Sequence, residues 1–288
     1  MSLPRLPLIA GAVLLASAGT PQPALAQSPD SSSSSSMRTR LEIPSHVAQK
    51  VGQKIWANET GGDLRRMTAW NDHEDFMSLG IGHFIWFTAA QPQPFEESFP
   101  PMLAFLRKQK ISAPAWLERE PVPSCPWNDK RDFETHFNSP QMIELREFLR
   151  RTFSAQTQFL ILRMQEALPK ILATLDEAKD REHVQTQFDR VVRASPDLYP
   201  LVDYVNFKGE GIAPLEAFEN KETGAREGWG LKQVLLQMSG TAEGRSALRE
   251  FADAAKSVLK RRISNRPRDA VHAAGWFARC DTYRRPLR

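Results

Sequence analysis

Cysteine is scarce in this sequence, with Cys125 and Cys280 as its only two residues. Neither belongs to a C-x-x-C pair, no H-E-x-x-H motif occurs, and the six histidines are scattered. These absences argue against a structural zinc site, so we expect no metal and no other cofactor. The two cysteines either close a long loop as a disulfide or remain thiols, and the sequence leaves both alternatives open.

Long apolar runs are equally scarce. The one present, from Leu8 to Ala18, follows Arg5 and precedes Ala24-Leu25-Ala26, which fits the A-x-A cleavage rule. We therefore predict a signal peptide over residues 1–26 and a periplasmic or secreted location. If translation starts instead at Met37, no leader is made. The run is shorter than the ~20 residues that span a bilayer, so we expect no stable membrane insertion after signal cleavage.

Serine dominates the segment that follows the leader. The unbroken run from Ser31 to Ser36 cannot bury apolar area, so residues 27–40 are predicted to form a flexible tether. Residues 41–288 are long enough for a single large domain. The net charge is +4, with basic clusters late in the chain. Since an exported protein rarely meets nucleic acid, we expect no nucleic-acid partner; the basic clusters would attract anionic envelope polymers or, as the simpler alternative, form solvated helix faces.

Helical periodicity dominates residues 41–288. Val47, Val51 and Ile55 recur every fourth residue, which predicts a first helix that ends at Glu59, before Gly61-Gly62. Residues 84–87 suit a short buried strand or a packed loop. The predicted class is therefore α+β, mostly helical, with a small β or loop element after the first helix. Further helices are predicted over residues 102–108, 141–151, 154–175 (kinked or broken at Pro169), 181–193, 198–207, 231–238 and 245–263.

Glu59 is the first candidate for catalysis. Cleavage of a glycosidic bond needs a proton for the departing oxygen and, usually, a second carboxyl group. An acid that stays protonated near neutral pH belongs against apolar surface, and Ile55 and Trp56 lie one turn before Glu59. The polar gap after the helix supplies the candidates for the second carboxylate: Glu74, which we favour, Asp72 and Asp75.

The run Ser78-Leu79-Gly80-Ile81-Gly82-His83 is the second signal. Gly80 and Gly82 let the backbone pass close to a ligand or turn at positive φ. His83 would fix the turn through a hydrogen bond, and Ser78 would either hold the attacking water or only support the hairpin. This turn and its two glycines are predicted to contact substrate.

The order of these features resembles the phage-type lysozymes. Those enzymes present a catalytic glutamate at the end of their first helix, then an aspartate, then a Thr-x-Gly-x-Gly-His turn. Glu59 lies on that glutamate, and Ser78 stands in place of the threonine. The resemblance implies a lysozyme-like fold and cleavage of peptidoglycan. The gap between Glu59 and Ser78 is several residues longer than in the phage enzymes, so the second carboxylate, Glu74 or Asp72, stays open.

A second cluster of aromatic and glycine residues runs from Asp203 to Gly211 and from Glu227 to Leu231. Because lysozyme-like folds place their cleft between the small element and a helical lobe, this cluster would form the far wall. Asn206, Lys208 and Glu210 would then bond sugar hydroxyls, and Trp229 would stack on a ring. The alternative is a helix junction with a core tryptophan. Trp276 and Tyr283 are read most simply as core anchors.

The leading hypothesis is a secreted or periplasmic glycoside hydrolase, a muramidase, that cleaves the glycan strands of peptidoglycan by carboxyl acid catalysis. A chitosanase-like polysaccharide hydrolase is the closest alternative among enzymes, although a cationic glycan favours an acidic cleft. A non-catalytic cell-wall-binding protein with a lysozyme-like fold is the alternative from another class. The sequence does not give the linkage cleaved, the stereochemical outcome or the oligomeric state.

Overall fold

A computed structural model describes residues 43–72, 74–90 and 96–287. The predicted signal peptide (residues 1–26) and the predicted tether (residues 27–40) both lie outside these ranges. The helices, in chain order, are α1 (Ser45–Thr60), α2 (Phe99–Lys108), α3 (Lys130–Thr135), α4 (Pro140–Arg151), α5 (Phe153–Ala173), α6 (Ala178–Ala194), α7 (Tyr199–Lys208), α8 (Leu231–Gln237), α9 (Arg245–Asn265) and α10 (Ala273–Asp281). The strands are β1 (Thr68–Ala69), β2 (Phe76–Leu79), β3 (Phe84–Phe87), β4 (Ala217–Glu219) and β5 (Arg226–Gly228).

A small antiparallel sheet follows α1. Its strand order is β1-β2-β3, with Phe76 opposite Phe87 and Leu79 opposite Phe84. The aromatic and branched side chains of β2 and β3 suit a pleated surface packed on a core, and Leu79 and Phe84 are fully buried. The prediction of a mostly helical chain with a small β element after the first helix is therefore confirmed.

The core is continuous through the described residues, which belong to one compact unit. Helix α5 contacts α1, α2, α6 and α7, while α9 contacts α8 and α10. Helix α7 is apolar around nearly its whole circumference and is buried accordingly. Within the described ranges, no helix combines the length and the apolar character needed to cross a membrane. The ends of α1 and α7 meet α10 at one side of this core.

The predicted helices match the observed ones within a few residues, with three differences. Helix α5 continues through Pro169 instead of breaking, because the proline lies four residues before the helix ends and removes only one backbone donor. Helices α3 and α10 were not among the predicted elements. The hairpin of β4 and β5 was also missed, since its strands are three residues each and the cluster was read only as a wall or a helix junction.

The two cysteines are free thiols, and both are buried. This excludes the disulfide alternative in favour of two thiols. The Cys125 sulfur lies 3.9 Å from the sulfur of Met77 and 3.6 Å from the carbonyl oxygen of Trp127. Burial raises the pKa of Cys125 and of Cys280 to about 12, so both remain protonated at neutral pH.

Candidate active site

Glu59 occupies the last turn of α1, and three other segments surround its carboxylate. Gly61 ends the helix in the left-handed conformation, with φ 67°, and donates its N–H to Ala57 O at 3.0 Å. Oε1 of Glu59 accepts from Arg279 Nη2 at 2.7 Å and from Asn206 Nδ2 at 3.2 Å. Oε2 lies 3.9 Å from Nδ1 of His83, beyond hydrogen-bond distance. Both donors thus bind one oxygen, and no residue within the described ranges forms a hydrogen bond with Oε2.

Arg279 is held by a second, fully buried carboxylate. Its Nε and Nη2 donate to the two oxygens of Asp203, each at 2.8 Å. Tyr283 OH and Asn58 Nδ2 also donate to Asp203, at 2.6 and 3.1 Å. Burial opposes the positive charge, but Asp203 and Glu59 outweigh it and hold the pKa of Arg279 well above its usual value. The guanidinium is therefore a fixed cation that orients Glu59.

The surroundings of Glu59 differ from the apolar wall expected from the sequence. Ile55 is buried in the core, and Trp56 packs edge-on against Phe153, with ring centroids 5.8 Å apart. The direct partners of the carboxylate are the polar groups of Arg279 and Asn206. Glu59 lies in a preorganised polar network, with 16% of its side chain exposed.

The turn between β2 and β3 is anchored by Gln156, a fully buried residue of α5. Gln156 Oε1 accepts from Ile81 N at 3.0 Å, while its Nε2 donates to Leu149 O at 2.6 Å. A Cβ on Gly80 would lie 2.2 Å from that Oε1, and one on Gly82 would lie 2.9 Å from Asn206 Oδ1. Both glycines are therefore required by close packing, and Gly82 places the turn against the amide that binds Glu59.

His83 closes the turn beside the carboxylate. Its φ is 47°, and its Nε2 lies 3.2 Å from Arg66 O. Burial lowers the pKa of His83, while the negative charge of Glu59 opposes that shift. One nitrogen of the neutral imidazole therefore contacts Arg66 in the 3₁₀ segment Leu64–Met67, and the other faces Glu59 at the end of α1.

The two main candidates for the second carboxylate lie in different environments. Asp72 is 75% exposed and forms an ion pair with Lys130. Glu74 is half-buried, and Asn71 Nδ2 donates to its Oε2 at 2.8 Å. Burial raises the pKa of Glu74, the Asn71 bond lowers it, and the charge of Glu59 raises it further. Glu74 therefore lies within the electrostatic field of Glu59. The third candidate, Asp75, is exposed, and the neighbouring Phe76 packs on Phe87.

The remaining predicted residues divide between site and core. Ser78 is 3% exposed within β2, opposite Ala69 and Ile85, so its hydroxyl has little access to solvent. Glu210 pairs with Lys170 of α5 at 2.9 Å. Trp229 is 7% exposed and is covered by Phe218 and by the guanidinium of Arg262, 3.9 Å from its ring centre. These contacts leave Trp229 no open face for stacking, which corrects that part of the prediction. Ser78 and Trp229 are thus buried and Glu210 is paired with Lys170, whereas Asn206 reaches Glu59.

A cavity of about 620 Å³ adjoins Glu59 on the side of α10. Its lining includes Lys54 and Asn58 of α1, Phe207 of α7, and Trp276 and Arg279 of α10. Sequence reasoning missed Arg279 entirely and placed Trp276 in the core. The spacing of Trp276, Cys280 and Tyr283, at i, i+4 and i+7, was the available signal for a helix here. The pairing of Arg279 with Glu59, 220 positions away, has no local signal.

Metal binding finds no support in the geometry: across 43–72, 74–90 and 96–287, no group of three or more His, Cys, Asp or Glu side chains is placed to hold an ion. The site instead offers the carboxylate of Glu59 with one oxygen that no described residue hydrogen-bonds, a second carboxylate, Glu74, within the electrostatic field of the first, and an adjoining cavity.

Comparisons with protein-family models, with curated proteins and with solved structures find no significant match to this chain. Function must therefore be argued from the site.

Proposed function

We propose that this protein is a periplasmic or secreted glycoside hydrolase that cleaves the glycan strands of peptidoglycan. The observation that carries the proposal is the placement of Glu59 at a cavity wall, fixed through Oε1 by Arg279 and Asn206, while Oε2 forms no hydrogen bond with any residue that the structure describes. A proton donor in glycoside cleavage must be held in one orientation beside the leaving oxygen. The network around Glu59 provides that restraint.

In the proposed reaction, Oε2 of Glu59 carries the proton and delivers it to the departing glycosidic oxygen. The negative charge that then develops on Glu59 is stabilised by Arg279, whose position is already fixed by Asp203. Glu74 acts as the second carboxylate, which stabilises the oxocarbenium-like centre or activates water. Its coupling to the charge of Glu59 favours it over the exposed Asp72.

The cavity favours an anionic glycan over a cationic one. Lys54 lines it beside Glu59, and in the part of the chain that the structure describes this lysine has no ion-pair partner. An amine-bearing polymer such as chitosan would face this cation directly. Peptidoglycan carries carboxylates on its lactyl and peptide groups, which Lys54 attracts. The chitosanase-like alternative is accordingly the weaker of the two hydrolases.

A non-catalytic wall-binding protein is the second candidate, and two observations favour it. Glu59 is already bonded to Arg279, and the hydroxyl expected to hold water, that of Ser78, is buried. A site that only binds glycan would need no proton on Glu59 and no water. Both candidates would bind peptidoglycan, but only the hydrolase would cleave it.

The deciding experiment is hydrolysis of purified peptidoglycan by wild type and Glu59→Gln, followed by zymogram and by release of soluble fragments. Loss of general acid help lowers the rate by about 10²–10⁴-fold, so Glu59→Gln should be nearly inactive. Because this variant also removes one of the two carboxylate partners of Arg279, its unfolding midpoint should fall, and circular dichroism checks that it is folded at the assay temperature. Glu222→Gln, an exposed glutamate on the β4–β5 hairpin, is the matched control. Equal rates in all three proteins would falsify the acid assignment. Wild type that binds peptidoglycan without releasing fragments would identify the binding protein.

Export is tested separately. Mass spectrometry of the periplasmic fraction should find a mature chain that begins at Gln27, as the Ala24-Leu25-Ala26 site predicts. A cytoplasmic chain that begins at Met1 or Met37 would remove the reason for choosing peptidoglycan as the substrate. The substrate of the proposed hydrolase would then have to be a different glycan.

A further inference from the structure

A pair of arginines that the proposed reaction does not use lies against the ring of Phe137. Cζ of Arg146 is 4.2 Å from the ring centre, and Cζ of Arg65 is 5.5 Å from it. Leu64 and Ile143, two exposed aliphatic residues, belong to the same two elements as the arginines. We propose that these five residues, the arginine patch, dock the protein on an anionic phospholipid surface. The inference does not depend on hydrolysis.

The arginine patch is formed by two elements that pack on each other. Leu64 and Arg65 belong to the 3₁₀ segment that follows α1, and Ile143 and Arg146 belong to α4, which contacts that segment. Residues three apart on a helix are neighbours on its surface, so Ile143 lies one turn from Arg146 on the same side of α4. Each element therefore contributes one cation and one aliphatic side chain.

Neither arginine has a carboxylate partner among the described residues. Within those ranges the guanidinium groups of Arg65 and Arg146 form no hydrogen bond and no ion pair, and Nε and Nη2 of Arg146 are buried without an acceptor. Burial lowers the pKa of Arg146, and the charge of Arg65 lowers it further. Attraction to the ring of Phe137 holds both cations in place. An anionic surface would supply the counter-charge that these contacts lack.

The acidic residues beside the arginine patch do not neutralise it. Glu144 accepts from the indole N–H of Trp116 at 3.0 Å, and Glu147 pairs with Arg150. Asp63, at the start of the 3₁₀ segment, accepts a backbone N–H at 2.9 Å. These three acids stand against five arginines in the same segment and α4, which leaves a net charge of +2.

The aliphatic side chains decide which kind of anion fits. Leu64 is 47% exposed and Ile143 is 54% exposed, and among the described residues they are two of four large apolar side chains with such exposure, the others being Leu236 and Val271. A soluble polyanion would engage the arginines and leave the aliphatic groups in water. A phospholipid surface offers phosphates to the guanidinium groups and a hydrocarbon boundary to the aliphatic groups.

Sedimentation with vesicles tests the docking. The chain used begins at Gln27, so that the apolar run of the leader is absent while the whole compact unit is kept. Vesicles of phosphatidylglycerol with phosphatidylcholine should bind the protein, vesicles of phosphatidylcholine alone should not, and ~0.5 M salt should weaken the binding. Arg65→Gln and Arg146→Gln should each lower the partition coefficient about fivefold. Leu64→Ser combined with Ile143→Ser should lower it by about fivefold or more.

Two matched controls lie outside the arginine patch. Arg249→Gln replaces an exposed arginine of α9, and Leu236→Ser replaces a leucine of α8 that is 38% exposed. Both should bind the anionic vesicles as wild type does. Circular dichroism checks that every variant is folded.

Three outcomes would overturn the docking. Wild type does not bind the anionic vesicles, or it binds the neutral vesicles equally well, or the exposed-residue variants Arg65→Gln and Leu64→Ser with Ile143→Ser bind as the controls do. Since Arg65, Leu64 and Ile143 are exposed, these variants keep the test decisive even if Arg146→Gln does not fold. Binding to purified peptidoglycan that the arginine variants lose, without binding to vesicles, would assign the patch to the polymer instead of the lipid.

Discussion

The two carboxylates proposed to share the chemistry are held by different kinds of structure. Glu59 is oriented by Asn206 of α7 and Arg279 of α10, which are distant in sequence. Glu74 is held locally: Asn71 bonds its side chain, and Trp70 Nε1 donates to its backbone carbonyl at 2.7 Å. The position of Glu59 therefore depends on the assembly of the whole fold, whereas that of Glu74 depends on one short loop.

This contrast predicts unequal responses to the loss of a supporting carboxylate. Asp203→Asn leaves the buried guanidinium of Arg279 with Glu59 as its remaining partner, so we expect a loss of about 3–5 kcal/mol in the free energy of unfolding. Asp72→Asn removes an exposed ion pair with Lys130 and should cost less than ~1 kcal/mol. Urea unfolding of both variants measures the difference. Similar losses in the two variants would show that the pairing of Asp203 with Arg279 stabilises the fold no more than the exposed pair of Asp72 and Lys130 does.

The second prediction concerns Glu74, the carboxylate that is held by one short loop. If it is the second carboxylate, Glu74→Gln should lower the rate of peptidoglycan hydrolysis by about 10²-fold, which corresponds to ~2.7 kcal/mol in the barrier. Its stability should change by no more than ~0.5 kcal/mol, because the amide keeps an oxygen for Asn71. Asp75→Asn, an exposed neighbour, is the control. Full activity in Glu74→Gln with a loss in Asp72→Asn would transfer the role to Asp72.

Glycines on either side of the loop between the two regions allow a further comparison. Gly62 and Gly80 both have positive φ, 82° and 68°, but an added Cβ meets nothing within 4 Å at Gly62 and lies 2.2 Å from Gln156 Oε1 at Gly80. Gly62→Ala should cost ~1–2 kcal/mol from backbone strain alone. Gly80→Ala should cost a further ~1–3 kcal/mol, because it displaces the acceptor of Ile81 N. Equal unfolding midpoints would mean that Gln156 moves aside freely.

The difference between local contacts and contacts distant in sequence also explains which features of the fold and the site could be predicted from the sequence. Helix α1, its glycine stop and the turn from Gly80 to His83 depend on local spacing, so they were predictable. The packing of Gly82 against Asn206, and of Arg279 against Glu59, depends on how helices distant in sequence assemble. Trp229 and Trp276 illustrate the limit: both directly follow a glycine, yet the first is enclosed and the second lines the cavity. Composition alone does not distinguish them.

The last and smallest expected effect belongs to His83, which lies between the two regions. Burial lowers its folded-state pKa below the usual value of about 6.5, although the charge of Glu59 opposes the shift. Between these two pKa values the unfolded chain binds the proton more tightly than the folded one. The stability that neutral His83 contributes is therefore complete above about pH 6.5 and decreases as the pH falls below it.

Replacement of this histidine should flatten that dependence. His83→Asn keeps a residue that tolerates positive φ and removes the titrating group. Urea unfolding between about pH 5 and 8 should show a shallower loss of stability on acidification than in wild type, by less than ~1.4 kcal/mol per pH unit, the limit for one proton. His46→Asn, at an exposed histidine in the first turn of α1, is the control variant. Because the charge of Glu59 supports protonation of His83, the slope should be steeper in Glu59→Gln than in wild type, and a shallower slope there would contradict the coupling of the two residues.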